Sequence, residues 1–381
     1  MVNSMKVLML QDTRDYAGTE SHILTLSDAL SNLDDVDVDL LVPFGSELEK
    51  RSQSVCVRCY VCSPSIIAFF FRTIAIVRSV RPDIIHAHNG RMTLIAVLVA
   101  KLLGCKVVAS QHFLEPAHVS STGLFGMVKR VLHQWVGRQL DFRICVSQAA
   151  LTSMQKRRDV IAKTDSAYSV IHNGIDISKV LLSVTTTRVD VRAELGIPSS
   201  AKLVMCAARL EPEKSIDTLL DAFKIVTDSG IDAHLVITGD GSLQGALQQR
   251  IIELGLTHVV NLAGFRPDVH NIMNASDAFV LPAANEPFGL VLLEAMSLGV
   301  PTLAARSGGP LEIIDDGSNG YLFKPSDAAN LAEHILRVLN APVQTRIVSD
   351  FGQESVREKF SSSVMASATI RAYAAAQGVR R

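Results

Sequence analysis

Short apolar runs alternate with stretches of helical spacing along most of the chain. In the first half, KVLMLQ, VDVDLLV, CVRCYV, DIIHAH, KVVASQH, FRICVS and YSVIHN read as strands. Segments between them, such as Thr19 to Leu30 and Thr93 to Leu103, repeat their apolar residues at helical spacing. Strands that alternate with helices predict a doubly wound parallel sheet. After HNGID at 172–176 the pattern lapses, and LLSVTTTRVDV, which has neither period, is read as a linker. It resumes in KLVMCAAR, AHLVITG, VVNLAG, AFVLPA and PTLAAR, five strands of a second sheet. The expected organisation is an α/β chain of two Rossmann-like domains facing across a cleft, residues 1–180 and 195–349. A closing alanine-rich segment, 350–381, is expected to be helical and to return to the first domain.

Composition agrees with two cores, because 48% of the 381 residues are hydrophobic and only 20% are charged. A formal net charge of −1 gives no electrostatic footprint for a nucleic-acid partner. The opening MVNSMKVLMLQD is too short for a signal peptide, and SIIAFFFRTIAIV and LIAVLVAKLLG, each broken by a basic residue, fall short of the roughly 20 apolar residues that span a bilayer. A soluble cytoplasmic chain is expected. In VCVRCYVC, strand alternation turns Cys59 away from Cys56 and Cys62, which suits buried thiols in a reducing compartment better than a metal cluster. His86 and His88 in HAHN share one face of a strand end with no further ligand nearby in sequence, and structural roles are expected. The Asp-x-Asp of DDVDVDL alternates with Val36, Val38 and Leu40 as a strand with one wet face does, so it is assigned no chemistry.

Open parallel sheets bind ligands at the carboxyl ends of their strands, and candidate chemistry collects there. Arg209 closes the strand KLVMCAA and Lys214 follows beside a helix start, where the two cations suit a diphosphate. Gly239, Gly241 and Gly245 follow the strand AHLVIT and let backbone amides approach a phosphate. A dinucleotide fold would want an acid at the end of the next strand, yet that strand ends NLAGFR. In NEPFGLVLLEAM, Glu286 stands at a strand end and Glu294 about 12 Å further along a helix at ~1.5 Å per residue. That span fits a hexose at one carboxylate and a ribose at the other. The amides of Phe288, Gly289 and Leu290 are then left for phosphates.

Taken together, EPFGLVLLEAM, RLEPEK, TGDGSLQG, the AGF turn, SGGPLE, HNGID and AGTE resemble the family 4 retaining glycosyltransferases of GT-B fold, over most of the chain. The resemblance implies a nucleotide-sugar donor bound mainly by the second domain, an acceptor bound mainly by the first, cleft closure, and no obligatory metal or other cofactor. It assigns Arg209 and Lys214 to the departing diphosphate, Glu286 to the hexose and Glu294 to the ribose. Gly264 and Phe265 would meet the base, Gly18 the donor phosphates, and His112 the transferred sugar near its anomeric carbon. Two positions depart from the family pattern: Ala17 precedes Gly18 where a second glycine is usual, and Ser215 follows Lys214 where glycine is usual. Between Lys129 and Lys163, eight Lys or Arg against two acids, with Trp135 among them, suit peripheral contact with an anionic membrane and a lipid-linked acceptor. By analogy the acceptor is a glycan or lipid of a bacterial surface pathway. A sugar-nucleotide epimerase of the same fold and a non-catalytic partner subunit are the alternatives.

Overall fold

Among the described residues, thirteen short strands form two sheets, and every pairing between those strands is parallel. The first contains β1 (Met5–Leu10), β2 (Val36–Pro43), β3 (Arg58–Cys62), β4 (Ile84–Ala87), β5 (Lys106–Gln111), β6 (Phe142–Cys145) and β7 (Tyr168–Val170), in the order β3-β2-β1-β4-β5-β6-β7. The second contains β8 (Lys202–Ala207), β9 (Ala233–Thr238), β10 (Val260–Gly264), β11 (Ala278–Leu281), β12 (Thr302–Ala305) and β13 (Tyr321–Phe323), in the order β10-β9-β8-β11-β12-β13. Both orders reverse direction once, between β1 and β4 and between β8 and β11. Such switch points open a crevice at the carboxyl ends of the strands. The computed structural model describes residues 4–55, 57–114, 124–156 and 168–378.

The chain divides into two units, Met1–Gly174 with Ser362–Arg381, and Ile175–Ser361. In the second, Leu203 to Cys206 of β8 and Leu235 to Ile237 of β9 are at most 1% exposed, because helices cover both faces of the sheet. Phe223, Leu219 and Leu220 of the helix Ile216–Asp228 pack against them, each such side chain contributing ~1.5–3 kcal/mol of burial. The first unit carries one core on each side of its sheet. Cys59 packs against one and Cys62 against the other, as strand alternation requires, but both thiols are half-buried rather than buried as expected.

Several boundaries differ from the sequence reading. The stretch read as a linker holds two short helices of the second unit, Ile177–Leu182 and Arg188–Glu194, capped by Asp176 and Thr187. Polar anchors hold it and leave no apolar period: the Thr185 amide donates to Asn271 Oδ1 at 2.8 Å, and Arg192 donates to Asp277 at 2.6 Å. The closing segment is also two helices. Pro342–Lys359 belongs to the second unit, and the return to the first begins only at Ser362–Ala376. There Met365, Ala372 and Tyr373 join the core lined by Ile23, Leu26 and Leu30. The strand β13 was not anticipated, being three residues long. Asp39, expected on a wet face, is 8% exposed, and burial raises its carboxyl above the usual range. Among the described residues, no helix is long and apolar enough to cross a membrane.

Candidate active site

At the switch point of the second sheet, the ends of β8 and β11 lie side by side. After β8 the chain makes one 3-10 turn, Pro212–Lys214, which starts on proline because its missing N–H is not needed there. Ser215 then takes φ 50°, ψ 41°, the left-handed region, and turns directly into the helix Ile216–Asp228. This bend sends Lys214 toward the end of β11. Its Nζ donates to Glu286 Oε2 at 2.6 Å, and the two side chains are 15% and 12% exposed. The cation assigned to the diphosphate and the carboxylate assigned to the hexose therefore form one ion pair. Arg209 is 60% exposed at its side chain and turns to Glu213 instead, at 2.9 Å.

Loops from neighbouring strands are stitched together around this pair. The Leu210 amide donates to the Asp240 carbonyl, Leu243 to the Leu210 carbonyl, and Ser242 donates through its amide and hydroxyl to Glu211. The hydroxyl holds the Glu211 carboxyl below its ordinary range. This stitching gives Gly239 and Gly241 a reason of their own. A Cβ on Gly239 would lie 2.0 Å from the Ala208 carbonyl oxygen, and one on Gly241 2.4 Å from that of Leu210. Gly245, by contrast, faces open space in the helix Gln244–Glu253. Asp240 also accepts from the Phe265 amide at 3.1 Å beside Gly264 (φ 64°), leaving the Phe265 ring 64% exposed.

The NEPFG segment is a turn, and the helix after it is short. Gly289 takes φ 106° at the N-cap, and only Leu290–Ser297 is helical. Glu294 is thus the fifth residue of that helix, and the expected 12 Å helical spacing from Glu286 does not apply, since residues 286–289 do not rise as a helix. The helix ends with Gly299 at φ 72°, its amide bonded to Met296 and that of Val300 to Ala295. Phe288 is buried against Phe360 and anchors the turn. Glu294 Oε2 lies 3.5 Å from His270 Nε2, and His270 Nδ1 lies 2.6 Å from Ser183 Oγ. The SGG segment after β12 closes over the same turn: the Gly309 amide donates to the Glu286 carbonyl, and Ser307 Oγ donates to that of Ala284. A Cβ on Gly308 or Gly309 would lie 2.1 or 2.2 Å from the backbone of Glu286 or Phe288.

In the first unit, Gly18 opens the helix Gly18–Ser31, and buried Glu20 organises the loop before it. Glu20 accepts from the Gln11 side chain at 2.7 Å, from the Thr13 hydroxyl, and from the Ala17 amide at 3.0 Å. Ala17 itself sits at φ −141°, ψ −164°, extended backbone open to any residue, so the missing glycine costs nothing at this position. His112 follows β5 and is 7% exposed, with Nε2 3.2 Å from His88 Nδ1. The HAH pair is not isolated: the rings of His22, His86, His88 and His112 pack in one cluster. Burial lowers all four pKa values, His22 to about 4 and His86 to about 3.

Sequence reasoning missed Glu20, His22, Asp240, His270 and the structural role of Gly308 and Gly309. The Gly-Asp-Gly and Ser-Gly-Gly-Pro spacings carried a signal for some of these. Nothing local tied His22 or His270 to partners so distant along the chain.

Comparison with known proteins agrees with this geometry. Residues 188–354 match the family model described as glycosyl transferases group 1, and residues 16–179 match that of glycosyltransferase family 4. The N-acetyl-alpha-D-glucosaminyl L-malate synthase of Bacillus anthracis is 28% identical over 75% of this chain and 72% of its own. The glycogen synthase of Mycobacterium tuberculosis is 27% identical over 79% and 70%. Among solved structures, Anabaena Alr3699/HepE in complex with UDP-glucose superposes with a TM-score of 0.80, covering 96% of this chain and 98% of that one at 23% identity. With two parallel Rossmann-like sheets and family matches running through both units, the chain belongs to the family 4, group 1 glycosyltransferases of GT-B fold.

Proposed function

We propose that this glycosyltransferase moves a hexose from a nucleoside-diphosphate sugar to an acceptor hydroxyl with retention of anomeric configuration, and that it needs no metal to do so. The observation that carries the reading is the Lys214–Glu286 pair at the switch point of the second sheet. Departure of the nucleoside diphosphate builds negative charge on phosphate oxygens and positive character on the sugar. A lysine and a carboxylate held together answer both charges, and preorganised groups of this kind are worth ~3–4 kcal/mol each. Arg209, exposed and paired with an exposed glutamate, is available to swing onto the diphosphate, where it would add to the amides of Gly289 and Leu290 at the helix start.

In this reading Glu294 holds the ribose, with His270 behind it, and the exposed Phe265 ring beside Gly264 meets the base. The Gly239 and Gly241 loop shapes the floor. His112 and Gly18 keep the roles that the family resemblance gives them. The structurally similar Anabaena Alr3699/HepE forms a complex with UDP-glucose, which supports a nucleotide sugar as donor here.

The acceptor is proposed to be a glycan or a lipid-linked sugar of a surface polysaccharide or glycolipid pathway, met at a cytoplasmic membrane face. Support comes from the helix Leu124–Gln139, which exposes Met127, Val128, Val131 and Leu132 together with Arg138. The side chains of Lys129 and Arg130, and residues 157–167 with Arg157, Arg158 and Lys163, lie outside the described residues.

A thermal-shift screen against UDP, GDP and ADP sugars tests the donor, since a ligand at 100 times its Kd stabilises by ~2.7 kcal/mol. Product analysis then tests the reaction. Release of the diphosphate with an α-linked product from an α-donor is expected. Conversion of the donor to another nucleotide sugar without acceptor would replace transfer by isomerisation.

A further inference from the structure

Three histidines of the first unit bring one ring nitrogen each to within 4.8 Å of the others. They come from separate elements: His22 from the helix Gly18–Ser31, His88 from the end of β4 and His112 from the end of β5. All are buried, at 4%, 1% and 7% exposure. Buried imidazoles normally bond through both nitrogens. His86, alongside them, does so, with Tyr373 Oη at 2.7 Å and Ser110 Oγ at 2.8 Å. Among the described residues, neither nitrogen of His22 has a partner of hydrogen-bonding geometry, nor has Nε2 of His88, nor Oδ1 of buried Asn173, whose side chain lies close enough to His22 to favour its protonated form.

Three buried imidazoles that converge on one point, two of them bonded to each other through His88 Nδ1 and His112 Nε2 and the third, His22, without such a bond, are the donor set of a borderline divalent ion. In a tetrahedral zinc site with bonds of ~2.0–2.1 Å, ligand nitrogens stand about 3.3 Å apart. His88 Nδ1 and His112 Nε2 already stand 3.2 Å apart. The His22 nitrogen lies within 4.8 Å of both, and buried Asn173, which interacts with the His22 ring, is the kind of outer acceptor that fixes a ligating histidine. With no oxygen donor among the three, magnesium and calcium are disfavoured.

We propose that His22, His88 and His112 form a binding site for one zinc-type divalent ion, and that its occupancy inhibits sugar transfer by withholding His112. The binding half stands on these residues alone; the inhibitory half rests on the role given to His112 above.

Untagged full-length protein, stripped with EDTA, is titrated with Co2+. Visible absorption typical of tetrahedral cobalt should saturate at one equivalent, yield to Zn2+ and resist excess Mg2+. His22→Gln and His88→Gln should each weaken binding at least tenfold, while His258→Gln, at an exposed position of the second unit, should not. X-ray absorption on the zinc-loaded unmutated protein should count three imidazoles, a readout that survives if a variant misfolds. No saturable binding, or fewer than three imidazoles, would overturn the site. Zinc should abolish transfer over the same concentration range that displaces cobalt, reversibly with EDTA. Full activity of the loaded protein would overturn the inhibitory half, whereas binding without transfer from any donor would count against the proposed function and leave the site standing.

Discussion

Lys214 Nζ and Glu286 Oε2 lie 2.6 Å apart, although one residue follows β8 and the other β11. Each partner thereby sets the charge the other presents to a ligand. Glu286→Gln releases Lys214 from its counter-ion, so nucleoside-diphosphate affinity should stay level or rise while turnover falls ~10²-fold or more, the scale of losing one transition-state contact. Lys214→Gln should weaken both. Calorimetry with the free diphosphate beside steady-state kinetics checks this; a Glu286→Gln variant that binds the diphosphate more weakly would separate the carboxylate from the lysine it touches.

Ser215 predicts a gain in stability. At φ 50°, ψ 41° it pays a left-handed penalty that glycine does not, and its side chain makes no capping bond. Ser215→Gly removes that strain and gives back part of it through unfolded-chain entropy. A net stabilisation of about 0.5–1 kcal/mol is expected in urea denaturation. Destabilisation would mean the serine hydroxyl has a role that the geometry does not reveal.

Gly239 and Gly245, both after β9, should respond oppositely to alanine. Gly239→Ala drives a methyl into the Ala208 carbonyl at φ 122°, and a loss of several kcal/mol or failure to fold is expected. Gly245→Ala meets nothing within 4 Å inside a helix, so it should stabilise by up to ~1 kcal/mol. Equal effects on melting temperature would contradict the loop packing described here.

These contrasts mark how far the residues alone could be read. Periodicity located twelve of the thirteen described strands because their apolar residues either run unbroken, as in β8 and β9, or alternate with polar ones, as at the start of β2, and are bounded by turn or charged residues. Strand-end logic placed Arg209 and Lys214 just after β8 and Glu286 just after β11, where the structure has them. It could not pair Lys214 with Glu286 rather than Arg209, because that depends on the bend at Ser215. The 12 Å estimate failed because Gly289 delays the helix. The polar anchoring of 177–194 by Asn271 and Asp277 has no local signature at all.

For the membrane proposal, Val128 and Val131 are informative because they are 57% and 61% exposed, so polar replacements should leave folding unchanged. Val128→Asp with Val131→Asp should weaken sedimentation with anionic vesicles several-fold, through lost apolar insertion and added repulsion. Unaltered sedimentation with an intact circular dichroism spectrum would remove this helix from the contact.

The buried histidines set the acid limit of the metal-free protein. His22 and His86 have folded pKa values of about 4 and about 3, lowered chiefly by burial, against 6.5 in the unfolded chain. Each is neutral in the folded state, so between pH 6.5 and 4 the unfolded chain binds the extra protons. Their stabilisation is complete above pH 6.5 and is lost as pH falls toward 4 for His22 and toward 3 for His86, at up to ~1.4 kcal/mol per pH unit for each group. Urea denaturation in EDTA should therefore show stability falling below pH 6.5, before most carboxylates titrate. His22→Gln should flatten that slope by about one proton. A profile level from pH 7 to 4.5 would show that these rings take up protons in the folded state as readily as in the unfolded one, and that the cluster is open to water.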